Sequence, residues 1–182
     1  MSPEFKDDFF RGTGNKWSFW SGIRYLVTEH SLCYLYFLRR VQKSNSRINK
    51  VWSIVFLSHL RKKYGLEIPY KTKIGSGFYM GHAFNITINP NAVLGKNINI
   101  HKGVTIGQEN RGRRNGAPTI ADNVWIGVNA TVVGNIQIGK NVFIAPNSYI
   151  NFDVPENSIV IGNPGKVIPK MNATVGYINR TV

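Results

Sequence analysis

From Ile74 onward, aliphatic residues return every six positions, and this spacing constrains the chain more than any other feature. Ile74, Met80 and Ile86 open the series, and Ile88, Leu94, Ile100 and Ile106 continue it after a two-residue offset. After a gap, Ile120, Ile126, Val132, Ile138, Ile144 and Ile150 add six consecutive members. Four positions after many of these comes a second small or apolar residue: Phe78, Phe84, Ala92, Ile98, Val104, Val124, Ala130, Ile136 and Val142. A helix would repeat its stripe every 3.6 residues and a hairpin every two, so neither fits. A short strand followed by a turn, repeated three times per coil, does fit, because each coil then stacks its aliphatics on the coil below. Gly and Asn between the apolar positions, as in Gly95-Lys96-Asn97 and Gly139-Lys140-Asn141, suit corners that need left-handed backbone. Residues 73–151 give about four such coils. A prism this slender leaves one flank poorly covered, so several chains are expected to associate side by side.

Before Gly65 the period is helical. One segment is expected over about Lys16 to Gln42 and a second over Arg47 to Tyr64, with Ser46 as its cap and Gly65 as its stop. The stretch Met1-Ser2-Pro3-Glu4-Phe5 resembles a cloning remnant and is given no weight. The sequence therefore divides into a helical region (1–66), a repeat domain (67–170) and a tail (171–182). The aromatics of the helical region, among them Phe9, Trp17, Trp20, Tyr36, Trp52 and Phe56, are expected to be packing residues. The other reading is a basic, aromatic face resting on an anionic membrane.

Lys and Arg total 23 against 9 acidic residues, a net charge of +14, and residues 1–66 hold 12 of the former and 4 of the latter. The excess is spread out and no RNA-binding signature or unbroken basic tract accompanies it, which argues against nucleic acid. Anionic small molecules or lipid are the expected partners. The single cysteine, Cys33, excludes an intramolecular disulfide and suits a reducing, cytoplasmic setting. The apolar run from Phe19 to Leu38 is broken by Arg24, Glu29 and His30, a poor membrane span.

Between Ile106 and Ile120 the period fails. Gly107-Gln108-Glu109-Asn110-Arg111-Gly112-Arg113-Arg114-Asn115-Gly116-Ala117-Pro118 reads as a polar loop extruded from one corner. Arg111, Arg113 and Arg114 suit a phosphorylated ligand, because guanidinium forks pair with phosphate oxygens.

Over about residues 64–168 the sequence resembles the hexapeptide-repeat acyltransferases. The likeness is to their serine acetyltransferase-like branch, and within it to bacterial exopolysaccharide and capsule O-acetyltransferases. The stretches that carry it are Tyr64-Gly65-Leu66-Glu67-Ile68-Pro69, Ile74-Gly75-Ser76-Gly77-Phe78-Tyr79-Met80-Gly81-His82, Gly103-Val104-Thr105-Ile106-Gly107 and Val160-Ile161-Gly162-Asn163-Pro164-Gly165-Lys166-Val167-Ile168. The resemblance implies a left-handed parallel β-helix, an acetyl-CoA co-substrate, no metal and a homotrimer, with a dimer of trimers also open. It implies His82 as the general base. An imidazole titrates near neutrality and can take a proton from an attacking hydroxyl. Glu67, fifteen residues earlier and close to one coil away, stands where the serine acetyltransferases carry the aspartate that partners this histidine. Gly107, Gln108, Val128 and Pro146 match the residues that line the coenzyme groove, with Lys166 and a loop arginine as partners for coenzyme phosphate. Trp125 fits either that groove or an outer packing surface. His101, one coil from His82, is the competing base; the pair lacks the third ligand a zinc site needs. The serine acetyltransferases hold their amino acid with an aspartate before the histidine and an Arg-His pair in the loop, and those positions here are Gly81, Gly116 and Ala117. The expected acceptor is therefore a sugar hydroxyl of a bacterial surface polysaccharide or its precursor. Serine O-acetylation is the alternative, and a non-catalytic β-helix scaffold the second.

Overall fold

The computed structural model describes residues 1–182. Four helices come first: α1 (Pro3–Thr13), α2 (Phe19–Thr28), α3 (His30–Lys43) and α4 (Arg47–Tyr64). Ser46 accepts a hydrogen bond from the Asn49 amide, and Gly65 ends α4 with φ of 65°, as the sequence suggests. Two helical expectations are corrected. The first segment is two helices, broken at Glu29, whose extended backbone (φ −116°, ψ 96°) ends α2 and starts α3. The discounted leader is structured too: Ser2 caps α1 by accepting from the Phe5 amide, and Pro3 occupies its first turn. Phe5 and Phe9 of α1 are buried against Trp17, Tyr25 and Tyr36 in a cluster of edge-to-face rings.

Fifteen short strands follow: β1 (Leu66–Glu67), β2 (Lys73–Ile74), β3 (Tyr79–Gly81), β4 (Ile86–Ile88), β5 (Val93–Leu94), β6 (Asn99–His101), β7 (Thr105–Gly107), β8 (Thr119–Ile120), β9 (Trp125–Ile126), β10 (Thr131–Val133), β11 (Gln137–Ile138), β12 (Val142–Ile144), β13 (Tyr149–Ile150), β14 (Ser158–Ile161) and β15 (Lys166–Pro169). They stack into three sheets, in the orders β1-β4-β7-β10-β13, β11-β8-β5-β2 and β15-β14-β12-β9-β6-β3. All pairings are parallel except β14 (Ser158–Ile161) with β15. These three faces make a left-handed parallel β-helix of about five turns. Every aliphatic of the six-residue series from Ile74 to Ile150 is buried inside the prism.

The coils differ in length, and the register reports it. Leu66 pairs with Ile86, twenty residues on, and Tyr79 with Asn99 at the same spacing. Thr119 pairs with Gln137 at eighteen, and Thr105 with Thr131 at twenty-six, because the loop after Gly107 lies within that coil. The two extra residues of the first coil fall at the corner holding His82. There Ala83 takes the inward place and Phe84, although it follows Met80 by four positions, is exposed.

Past Pro169 the chain folds back along the third sheet. The Val182 carbonyl accepts from Asn97 and its amide donates to the Asn97 side chain, while Asn99 donates to the Tyr177 carbonyl. Arg11 of α1 ties both ends together, donating to the carbonyls of Gly77 and Asn179 and to the Asn99 side chain.

Candidate functional site

His82 sits in the turn between β3 (Tyr79–Gly81) and β4 (Ile86–Ile88), with φ of 50°. Ten residues other than glycine adopt positive φ here, and eight of them are asparagine, the residue that tolerates this conformation at least cost. The other two are His82 and Arg180. Both line the same cavity of about 430 Å³, between the end of α1, the α2–α3 junction and the first coil. A side chain held in sparsely populated backbone is a recurrent mark of a functional position.

The corner is buttressed from the helical region. His30 Nε2 lies 2.9 Å from the Ala83 carbonyl oxygen, and its ring stacks on Tyr64 with centroids 4.3 Å apart and packs on Phe84. Glu29, His30, Tyr79 and Arg180 are among the polar residues that line the cavity with His82. The sequence reading found none of these four, because no periodic pattern links the α2–α3 junction or the tail to the first coil. The polar pair Glu29-His30 was visible as an interruption of the apolar run, but not as the break between two helices.

Glu67 does not meet His82 within one chain. Its coil is twenty residues long, so Glu67 stands beside Thr87, five residues past His82. Its carboxylate accepts from Arg61 of α4 at 2.9 Å, and it borders a separate depression lined by Tyr34, Ile54, Leu57 and Pro69.

The remaining predicted positions divide between the two edges of the first sheet. On one edge the Lys102 amide donates to the Gly81 carbonyl, the Asn129 amide to Lys102, and the Asn147 amide to Val128. His82, Val128 and Pro146 therefore rise along one column, and Lys166, opposite Ile161 in the last strand pair, tops it. On the other edge lie Glu67, Gly107 and Gln108; Asn89 donates to Gln108 across 3.2 Å. The loop leaves from there, closed by paired bonds between Glu109 and Gly116, and holds Arg111, Arg113 and Arg114 exposed around a 3-10 turn at Gly112–Arg114. Two groups on opposite edges of one sheet face each other only when the edge of one chain meets the other edge of a neighbour.

Trp125 belongs to neither edge group. It stacks on Phe143 with centroids 4.4 Å apart and lies under Tyr177 of the tail, so it is outer packing on the third sheet. His101 continues that stack, 4.7 Å from Trp125. A Cβ at position 81 would come within 2.4 Å of His101 Nδ1, so any side chain there requires this wedged ring to move. Burial, and then the charge of neighbouring His82, hold the His101 imidazole below its ordinary value, and its Nε2 is buried with no partner. Because the folded chain resists protonation that the unfolded chain accepts, stability from His101 is full above about pH 6.5 and declines as pH falls below it. Melting temperatures measured between mildly acidic and neutral pH should show this slope in the wild type and a shallower one in His101→Phe.

Comparison with known proteins gives consistent results. The family model for the bacterial transferase hexapeptide (six repeats) matches residues 117–151. A serine acetyltransferase of Synechococcus elongatus is 39% identical over 126 residues, covering 69% of this chain and 52% of that protein. The chain thus spans about half the length of such curated relatives. Among solved structures, a Neisseria gonorrhoeae serine acetyltransferase in complex with serine is 31% identical with a TM-score of 0.67, covering 79% of this chain and 59% of that one. The Brucella abortus serine acetyltransferase in complex with coenzyme A is 25% identical with a TM-score of 0.72, covering 92% and 66%. The six-residue repeat thus places residues 117–151 with the bacterial transferase hexapeptide family, and the larger part of the chain is similar in sequence and in fold to serine acetyltransferases.

Proposed function

We propose that the protein is an acetyl-CoA-dependent O-acetyltransferase with His82 as general base, working between neighbouring chains of a homotrimer. The observation that carries this reading is His82 itself, held in left-handed backbone at the foot of an edge that ends in Lys166. Five strand spacings of about 4.8 Å, from β3 to β15, separate the two, a column along which an extended pantetheine arm fits with its phosphates toward Lys166. Gly107, Gln108 and one of Arg111, Arg113 and Arg114 of the adjoining chain face the same groove in that arrangement, and Glu67 approaches His82 from there. The chemistry is a single transfer. His82 accepts the proton of the acceptor hydroxyl as that oxygen bonds to the acetyl carbon, the carbon–sulfur bond breaks, and the proton passes from the imidazolium to the departing thiolate. A backbone amide is the donor available to the oxyanion.

The relatives' names favour serine as the acceptor over a polysaccharide sugar. Arg180 and Glu29 in the His82 cavity fit that reading, since a cation and a carboxylate match the carboxylate and ammonium of an amino acid. The sugar reading keeps one supporting observation: position 81 has no room for the aspartate that precedes the histidine in serine acetyltransferases, and the loop pair is Gly116-Ala117. Release of free CoA from acetyl-CoA, measured with serine and with a panel of sugars, separates the two. Turnover with serine that falls when Arg180 is changed to Ala is the expected result. Release only with sugars overturns the serine assignment, and failure to bind CoA at all overturns the enzyme.

A further inference from the structure

The helical region carries a surface that nothing in the chain covers. On α4, Ile48, Val51, Trp52 and Val55 recur at helical spacing and all face outward, with Ile48 71% and Trp52 62% exposed. The opposite side of the same helix is already satisfied, since Ser53, Leu57 and Leu60 are buried against the rest of the chain. Helix α2 repeats the situation: Phe19, Trp20, Ile23 and Val27 are exposed, Trp20 at 79% and Val27 at 81%. Apolar side chains so exposed in one stripe mark a contact surface rather than ordinary surface composition.

The charges around these stripes choose the occupant. Helix α4 carries Arg47, Lys50, Arg61, Lys62 and Lys63, α2 carries Arg24, and neither helix has an acidic residue. Two copies of α4 laid face to face would set Arg47, Lys50, Lys62 and Lys63 against the same four, Arg61 of each being paired with Glu67, with no carboxylate on either helix to pair them. An anionic bilayer supplies what the surface lacks: hydrocarbon for Ile48, Val51 and Val55, a headgroup boundary for the tryptophans, and negative charge for the lysines and arginines. No helix is long and apolar enough to cross a membrane, so the contact is one of lying on the surface. We infer that the exposed face of α4, together with α2, docks the protein onto an anionic lipid surface. This holds whichever acceptor the enzyme uses.

The test is co-sedimentation of the full chain with phosphatidylglycerol–phosphatidylcholine vesicles and with pure phosphatidylcholine vesicles, at low and high salt. Binding to the anionic vesicles should exceed binding to the neutral ones by roughly tenfold or more and should weaken with salt. Two double variants probe the two parts of the surface: Val51→Ser with Trp52→Ser, and Lys62→Glu with Lys63→Glu. All four side chains are exposed, so circular dichroism and CoA release should match the wild type while vesicle binding falls at least several-fold in each. Absence of binding at low salt, or binding that neither variant weakens, overturns the inference. So does sedimentation velocity showing that Val51→Ser/Trp52→Ser dissolves a larger assembly while vesicle binding persists, because the face then belongs to a second copy.

Discussion

Replacing His82 with alanine is expected to reduce CoA release in the presence of acceptor by roughly 10²- to 10⁴-fold, the range that a positioned general base contributes. CoA binding should persist, because the column that would hold the coenzyme runs from Val128 and Pro146 toward Lys166 and does not need the imidazole. His82 is exposed at a turn whose inward place is filled by Ala83 and whose carbonyl is held by His30, so its loss leaves the scaffold intact. Turnover and binding therefore separate in this variant. His101 is the control. Its imidazole is wedged against Gly81 and Trp125 and kept neutral by burial, so it is not placed to collect a proton from an acceptor in the cavity. If His82→Ala retained wild-type turnover and His101→Phe lost it, the assignment would be reversed. Glu67→Gln should cost less than His82→Ala, since a carboxylate that orients the base acts through it; the measurement is kcat at saturating acetyl-CoA.

Much of this geometry was legible in the sequence, and the illegible parts share a cause. A six-residue period states which side chains point inward and how many corners a coil has, so the prism and its core from Ile74 to Ile150 follow from spacing alone. The two-residue offset between Ile86 and Ile88 was also visible, yet its consequence was not. It lengthens the first coil to twenty residues and puts Glu67 level with Thr87 rather than with Asn85, further along the chain from His82. Contacts between the helical region and the prism have no period to betray them. His30 on the Ala83 carbonyl, Arg180 in the His82 cavity and Arg11 bridging α1 to the tail each join residues more than fifty positions apart. Propensity failed in two places for local reasons. The Ser2-Pro3 start of α1 is a good capping signal with no long apolar stripe behind it, and Glu29 breaks a run whose apolar content continues through it.

Removing either member of the Asp8–Arg39 pair should destabilise the fold by about 3–5 kcal/mol, the cost of leaving a buried charge without its partner. Both side chains are fully enclosed, Arg39 at 2% and Asp8 at 0% exposure, at the seam where α1 and α3 meet the first coil. Arg39 Nε donates to Asp8 Oδ2 at 2.8 Å and its Nη2 to Oδ1 at 3.2 Å. Its remaining donors go to the carbonyls of Ile74 and Gly75 at 2.7 and 2.6 Å and to Gln42 at 3.4 Å, while Asp8 also accepts from the Phe78 amide at 2.8 Å. Burial pushes the Asp8 carboxyl upward, and the Arg39 charge with these hydrogen bonds opposes that push. Arg39→Ala should be the worse of the two single variants, because it strands the carboxylate and two backbone carbonyls at once, whereas Asp8→Ala leaves the guanidinium on its carbonyl acceptors. Arg39→Lys should rescue little, since an ammonium cannot reproduce a planar fork that engages five acceptor atoms. At about 2–4 °C per kcal/mol for a chain of this size, calorimetry should find the melting temperature of Arg39→Ala lower by roughly 10 °C. A loss under about 1 kcal/mol in both single variants would mean that water reaches the seam and that other contacts, among them Arg11 to the Gly77 carbonyl and His30 to the Ala83 carbonyl, hold the helices to the prism.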